Sequence, residues 1–119
     1  MDIRTKRIYE PQEPTDGHRL LVDRIWPRGV SKESAGLDNW MREVGPSTEL
    51  RRWFGHDPSR WSEFKKRYAV ELASRQDLVN EILSLSHNGP VTLLYSARDV
   101  DHNQAVALAE YLAETSDKA

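Results

Sequence analysis

The sequence predicts an α/β domain: a short, mainly parallel β-sheet flanked by helices, with a helix-rich middle segment. Three observations predict it. The runs 19–26 (RLLVDRIW) and 91–96 (VTLLYS) are short and mostly apolar, and read as buried strands. Between them lie several capped segments with helical periodicity. Helical segments separated by buried strands are the pattern of a parallel sheet. The 119 residues suit one domain over 1–119, and no linker, internal repeat or low-complexity tract divides them.

The elements follow in order. Residues 3–9 alternate weakly and read as a strand, and Pro11, Pro14 and Asp16-Gly17 mark a turn-rich loop. The strand 19–26 buries Leu20, Leu21, Val22, Ile25 and Trp26, and Pro27 and Gly29 end it. Ser31, with Ser34 three residues on, caps a short helix, and a second helical piece is expected over 37–43. Gly45-Pro46 breaks that piece. Ser47 or Thr48 caps the next, which Gly55 closes. Asp57 at the N-cap and Pro58 at the first helical position open a longer helix. There Trp61, Phe64, Tyr68 and Leu72 recur on one face. Another helix starts at Asp77 and turns Leu78, Val79, Ile82, Leu83 and Leu85 inward, to end near Asn88-Gly89-Pro90. After strand 91–96, Asp101 and Gln104 read as a capping box for a last helix, with Ala105, Val106, Leu108, Ala109 and Leu112 on its apolar side.

Composition excludes several classes. No apolar run is long enough to span a membrane, and the start MDIRTKRIYE has no signal-peptide core. There is no cysteine, so no disulfide, thiolate or Cys-based metal site. A cytoplasmic protein without a membrane partner is expected; the oligomeric state stays open. Seventeen Lys and Arg against nineteen Asp and Glu leave a net charge of −2, unlike a strongly basic nucleic-acid binder. The charge is uneven, however. Arg51, Arg52, Arg60, Lys65, Lys66 and Arg67 face only Asp57 and Glu63 within 51–68. They belong either to solvated helix faces or to a binding surface.

Two segments carry the candidate chemistry. Each is a strand, a polar loop and a helix: Asp23-Arg24-Ile25-Trp26-Pro27-Arg28-Gly29 in one, Ser96-Ala97-Arg98-Asp99 with His102 in the other. Ligands of parallel sheets gather outside the carboxyl ends of the strands, where helix N-termini favour anions. If the two strands are neighbours, Arg24 or Arg28 and Arg98 converge on one phosphate or carboxylate, which arginine grips as a fork. The alternative for Asp23-Arg24 is an ion pair that fixes the strand end. His56, in the turn Gly55-His56-Asp57-Pro58, and His102, beside Asp99, Asp101 and Asn103, are the acid/base candidates. Asp23 and Asp99 would orient them. Trp26 and Trp53 flank the same loops and offer an aromatic wall, whereas Trp40 and Trp61 read as core. Tyr95 places a hydroxyl near a strand end, with core packing as its alternative. No zinc-type His pairing, nucleophile elbow or Gly-rich phosphate fingerprint is present, so no metal and no cofactor are assigned.

The strings DGHRLLVDRIWPRGVSKE, LDNW, GPSTELRRWFGHDPSRWSEFKKRYAVEL and VTLLYSARDVDHNQAVAL, in that order, resemble the YeaO-like proteins, domain of unknown function 488, over residues 3–112. The resemblance implies a small bacterial-type cytoplasmic α/β domain and no settled reaction. It implies shared positions at Asp23, Arg24, Trp26, Pro27, Arg28, Lys32, Trp53, Phe54, His56, Tyr68, Tyr95, Asp99, His102 and Asn103. Lys32, Tyr95 and Asn103 thereby join the ligand-binding candidates. Gly45 stands where the family has Ala, Arg98 where it has Lys, and Gln104 where it has Asn.

Two functional classes remain. One is a domain that binds a small phosphate- or carboxylate-bearing anion, a nucleotide among the options, either with His-based catalysis or without it. The other is a non-catalytic nucleic-acid or protein-binding module built on the basic and aromatic segment 51–68; the net charge disfavours nucleic acid. A regulatory subunit with no site of its own is a third, weaker reading.

Overall fold

The structure, a computed structural model, describes residues 2–118, the last two by backbone alone. β1 (Ile3–Arg7), β2 (His18–Leu21), β3 (Asn39–Trp40) and β4 (Val91–Tyr95) form one sheet in the order β1-β4-β2-β3. Every neighbouring pair is parallel, with Leu20 opposite Leu93 and Leu21 opposite Leu94. β4 lies between β1 and β2 and buries all five residues, which is why its run shows no polar alternation; the Thr92 hydroxyl donates to the Asp16 carbonyl at 2.7 Å.

The two-residue period of a strand sorts the side chains onto two faces. Leu20, Val22, Val91, Leu93 and Tyr95 enter the larger core. It is closed by α2 (Thr48–Phe54), α3 (Trp61–Ala73), α4 (Gln76–Ser86) and α5 (Gln104–Lys118). Phe64, Tyr68, Leu72, Val79, Ile82, Leu108 and Leu112 are the buried residues those helices contribute. Leu21 and Leu94 point the other way, toward Ile8 and Ala35, under α1 (Lys32–Ala35) and the partly buried Trp26, Val30, Leu37 and Trp40.

That second face holds a buried ion network. Arg19 is 3% exposed and donates to Asp16 at 2.5 Å, to the Gly36 carbonyl at 3.0 Å and to the Ala35 carbonyl at 3.0 Å. Lys6 reaches the other Asp16 oxygen at 3.0 Å. Burial pushes the Asp16 carboxyl up. The bonds from the Glu13 N–H, Lys6 and Arg19 outweigh it and hold the group below the usual carboxylate range.

Local signals fixed most helix ends. Ser31 accepts from the Ser34 N–H at 3.0 Å and Ser47 from the Leu50 N–H at 3.1 Å. Gly55 closes α2 in the left-handed conformation at φ 53°. Asp57 caps a 3-10 turn, Pro58–Arg60, that leads into α3.

Three expectations need correction. The strand expected over 19–26 stops at Leu21, and Ile25 is 61% exposed. Val22 still donates to the Leu94 carbonyl at 3.1 Å, but Asp23 then bonds the end of β4 with its side chain instead of its backbone. Residues 37–43 are not helical: they form β3 and a 3-10 turn, Arg42–Val44. The Asp38 and Met41 N–H groups bond the Arg19 and Leu21 carbonyls, so pairing along the free edge of β2 overrides local propensity. The Asp101–Gln104 capping box does not form. Asp99 Oδ1 accepts from the N–H groups of Asp101 and His102, and Asn103 Oδ1 from that of Val106 at 3.1 Å. Among the described residues, no helix is long and apolar enough to cross a membrane.

Candidate functional site

Because β2 and β4 are neighbours, the loops 22–29 and 96–103 leave the sheet side by side. Between them and α2 lies a cavity of about 800 Å³, outside the carboxyl ends of the strands, within the size range of small-molecule sites. Asp23, Arg24, Trp26 and Arg28 line it from the first loop. Arg98, Asp99, His102 and Asn103 line it from the second, and His56 from the turn after α2. Residues 75 positions apart in the chain are thus brought to one opening by a single parallel strand pair.

Each side chain is held by something specific. Asp23 is buried, and one of its oxygens accepts from the Ser96 N–H at 3.0 Å and the Ser96 hydroxyl at 2.7 Å. Its other oxygen accepts from the Gln104 amide. The ion pair with Arg24 does not form, because Arg24 Nε turns to the Pro46 carbonyl at 2.8 Å. Gly45 makes room for that turn. A Cβ at position 45 would lie 3.0 Å from the Val22 carbonyl oxygen and 3.4 Å from Arg24 Cγ. Asp99 accepts from His102 Nδ1 at 2.9 Å, which fixes the plane of that ring. The Asp101 N–H and then the His102 ring hold the Asp99 carboxyl below its ordinary value. Asn103 is buried and donates to the Asp99 carbonyl at 2.9 Å. Trp26 is half-buried, edge-on to Trp40 with ring centroids 5.2 Å apart, and donates to the Val30 carbonyl. His56 is exposed at φ 56°, a conformation few side chains adopt.

Three predicted residues are not brought into the cavity. Lys32 lies exposed on α1, against the opposite face of the sheet. Tyr95 is 3% exposed in the larger core, because strand alternation puts it on the same side as Val91 and Leu93. Trp53 is half-buried at the edge of the larger core on α2, where the guanidinium of Arg67 covers its ring at 4.0 Å and that of Arg60 at 5.4 Å. The neighbouring Phe54, one helical step round, faces the cavity in its place.

The cavity also takes residues the sequence had placed elsewhere. Arg51 and Arg52 leave the basic cluster and line it, together with Phe64, Ser96 and Gln104. Three more of that cluster are paired off: Arg60 with Asp57, Lys65 with Glu110, Arg67 with Glu63; Lys66 stays exposed on α3. The three-residue step from Arg51 to Phe54 was the available signal, since both fall on one helix face. Arg7 of β1 was not singled out. It donates to the Ala97 carbonyl at 2.8 Å and the Ser96 carbonyl at 3.1 Å, and so fixes the start of the second loop.

The electrostatic result is one-sided. Arg24, Arg28, Arg51, Arg52 and Arg98 line the cavity, and none is in an ion pair among the described residues. Its two carboxylates are already committed, Asp23 to Ser96 and Gln104 and Asp99 to His102. Burial and then the nearby Arg75 push Arg24 below its ordinary value, more than Glu71 and Glu43 raise it.

Asp23 gives a test of this architecture. Burial pushes its carboxyl above the usual range, against the Ser96 and Gln104 bonds that pull it down. The folded state therefore holds the proton more tightly than the unfolded chain. Asp23 then costs stability as pH rises from the ordinary carboxylate value through its own raised one. Asp23→Ala leaves the Ser96 donors without an acceptor and costs about 1–3 kcal/mol in urea unfolding. Asp23→Asn keeps an oxygen for Ser96, and a turned Gln104 amide meets its NH2, so it costs less than about 1 kcal/mol. Its thermal midpoint relative to wild type rises as pH climbs from the ordinary carboxylate value through the raised one. No loss of stability in Asp23→Ala would show that the carboxyl braces nothing.

The sequence model of the inactive DUF488-N3 subclade matches residues 2–119. The chain is 42% identical over 112 residues to the uncharacterized protein YeaO of Escherichia coli strain K12, covering 94% of this chain and 97% of that one. It is 41% identical over 110 residues to the uncharacterized protein Rv3073c of Mycobacterium tuberculosis strain H37Rv, with 92% of each chain covered. The uncharacterized protein Mb3100c of Mycobacterium bovis matches to the same extent. No solved structure matches at the same stringency.

Proposed function

The chain belongs to the inactive DUF488-N3 subclade, and from that premise we propose that it is a non-catalytic domain that binds a small phosphate-bearing molecule at the carboxyl ends of β2 and β4. One observation carries this reading: five arginines without ion pairs among the described residues line a single cavity whose carboxylates are already used. Guanidinium groups held together repel one another, and a bound phosphate relieves that repulsion with charge-assisted, forked hydrogen bonds. Phe54, Phe64, Trp26 and Pro27 supply an apolar wall for the organic part of the ligand.

The His102–Asp99 pair is the feature that favours catalysis instead. Against it stand the family's description as inactive and the engagement of both Asp23 oxygens within the fold. The nucleic-acid reading loses its support where Arg60, Lys65 and Arg67 find acidic partners and Arg51 and Arg52 turn into the cavity.

Calorimetric titration with ribose 5-phosphate tests the proposal. The protein binds it, and no inorganic phosphate is released on long incubation. The double variant Arg28→Ala/Arg98→Ala binds at least about 100-fold more weakly, since each charge-assisted bond contributes about 1.5–3 kcal/mol. Undiminished affinity in that variant sinks the anion site. Phosphate release that disappears in His102→Ala would restore the catalytic reading.

A further inference from the structure

A second, smaller cavity of about 340 Å³ lies against the first. Arg24, Ile25, Arg51 and Arg52 line both, and the second adds Arg42 and Thr48. Arg42 is exposed, its guanidinium 4.6 Å above the Trp40 ring, and it is in no ion pair among the described residues. Among the described residues, the second cavity therefore has four arginines and no lining carboxylate. Glu71 is turned away to the Ser47 N–H and hydroxyl, at 2.8 and 2.6 Å.

Resting on the phosphate-binding reading above, we propose that the two cavities form one continuous site for a small molecule carrying a chain of phosphates. One phosphate is held in the larger cavity, by Arg28 and Arg98, and a further one in the smaller cavity, by Arg42. The three shared arginines then lie between them, along the chain. A single phosphate is too small and too weakly charged to satisfy both ends. A run of phosphates brings negative charge to each arginine in turn, which is the arrangement the shared lining calls for. Trp40 holds the Arg42 guanidinium by its flat face and leaves its edge, with the forked N–H groups, free to meet an oxygen. The overall charge of −2 and the paired flank of α3 favour a compact polyphosphate over a nucleic-acid strand, which needs a longer basic track.

Titration with orthophosphate, ribose 5-phosphate, tripolyphosphate and a short oligothymidylate tests this on the full chain. Tripolyphosphate binds at least about tenfold more tightly than ribose 5-phosphate, one further charge-assisted contact being worth that much. Arg42→Ala collapses the preference to below about threefold, and Arg42→Lys keeps part of it, because charge remains without the fork. An unchanged thermal midpoint in both variants shows that they fold. Binding of ribose 5-phosphate with no preference for tripolyphosphate overturns the two-cavity site and leaves the phosphate reading standing. No binding of any phosphate overturns both. Tighter binding of the oligothymidylate than of tripolyphosphate overturns the compact ligand in favour of a nucleic-acid strand.

Discussion

Asp16→Ala destabilises the protein by about 3–5 kcal/mol, the range expected when one member of a buried ion pair is removed. The reason lies on the smaller face of the sheet. Arg19 is 3% exposed and cannot reach water when its partner is gone. It keeps the Ala35 and Gly36 carbonyls, which are dipoles and do not neutralise it. Lys6, only 12% exposed at its side chain, loses one of its two carboxylates at the same time. Urea unfolding followed by tryptophan fluorescence reads the loss. A fall below about 1 kcal/mol would place the pair with ordinary surface bridges. The pH dependence carries a second signature. Because the Asp16 carboxyl is held below its ordinary value, its contribution is present at neutral pH. It is lost as pH falls through that lowered value. The advantage of wild type over the variant therefore shrinks in acid.

Phe64→Ala costs a similar amount, about 3–5 kcal/mol, by a different route. Phe64 is 2% exposed and stacks between Phe54, at 4.4 Å between ring centroids, and Trp61, at 5.7 Å, with Tyr68 also at 5.7 Å. Truncation removes the middle ring of that stack. Since Phe64 also lines the cavity, the space left joins it, and water enters the core. Phe64→Leu keeps most of the volume and costs about 1.5 kcal/mol or less. Its arginines undisturbed, the leucine variant binds ribose 5-phosphate within a few-fold of wild type. Equal losses for alanine and leucine would mean that the aromatic stack, not the filled volume, stabilises this end of the domain.

The two losses mark the two sides of the sheet, and the sequence was not equally informative about them. On the larger side, periodicity sufficed. Trp61, Phe64, Tyr68 and Leu72 are spaced so that a helix must put them on one face, and all join or flank the main core. On the smaller side it failed. Asp16 sits in a turn-rich loop and Arg19 at the start of an apolar strand, and nothing in their spacing says that they are buried together. The same division runs through the candidate site. Asp23, Arg28, Arg98 and His102 stood out because polar residues follow apolar strands, and those strands proved to be parallel neighbours. Arg51 and Arg52 were visible only as charge. Their direction depends on how α2 is seated, and that is fixed by Phe54 in the core and the Ser47 cap held by Glu71.

By itself, then, the sequence determined what short-range chemistry can determine. It settled the α/β class, the central strand Val91–Tyr95, the caps at Ser31 and Asp57, and the family, whose motifs span nearly the whole chain. These depend on neighbours a few residues away. Only the tertiary structure decided where β2 leaves the sheet, that Asn39–Trp40 become an edge strand, and which arginines meet. Each of those outcomes rests on a bond between residues far apart in the chain: Asp23 with Ser96, Met41 with Leu21, Arg24 with Pro46. Such bonds form only after the core has brought their partners together, so no local pattern in the sequence announces them.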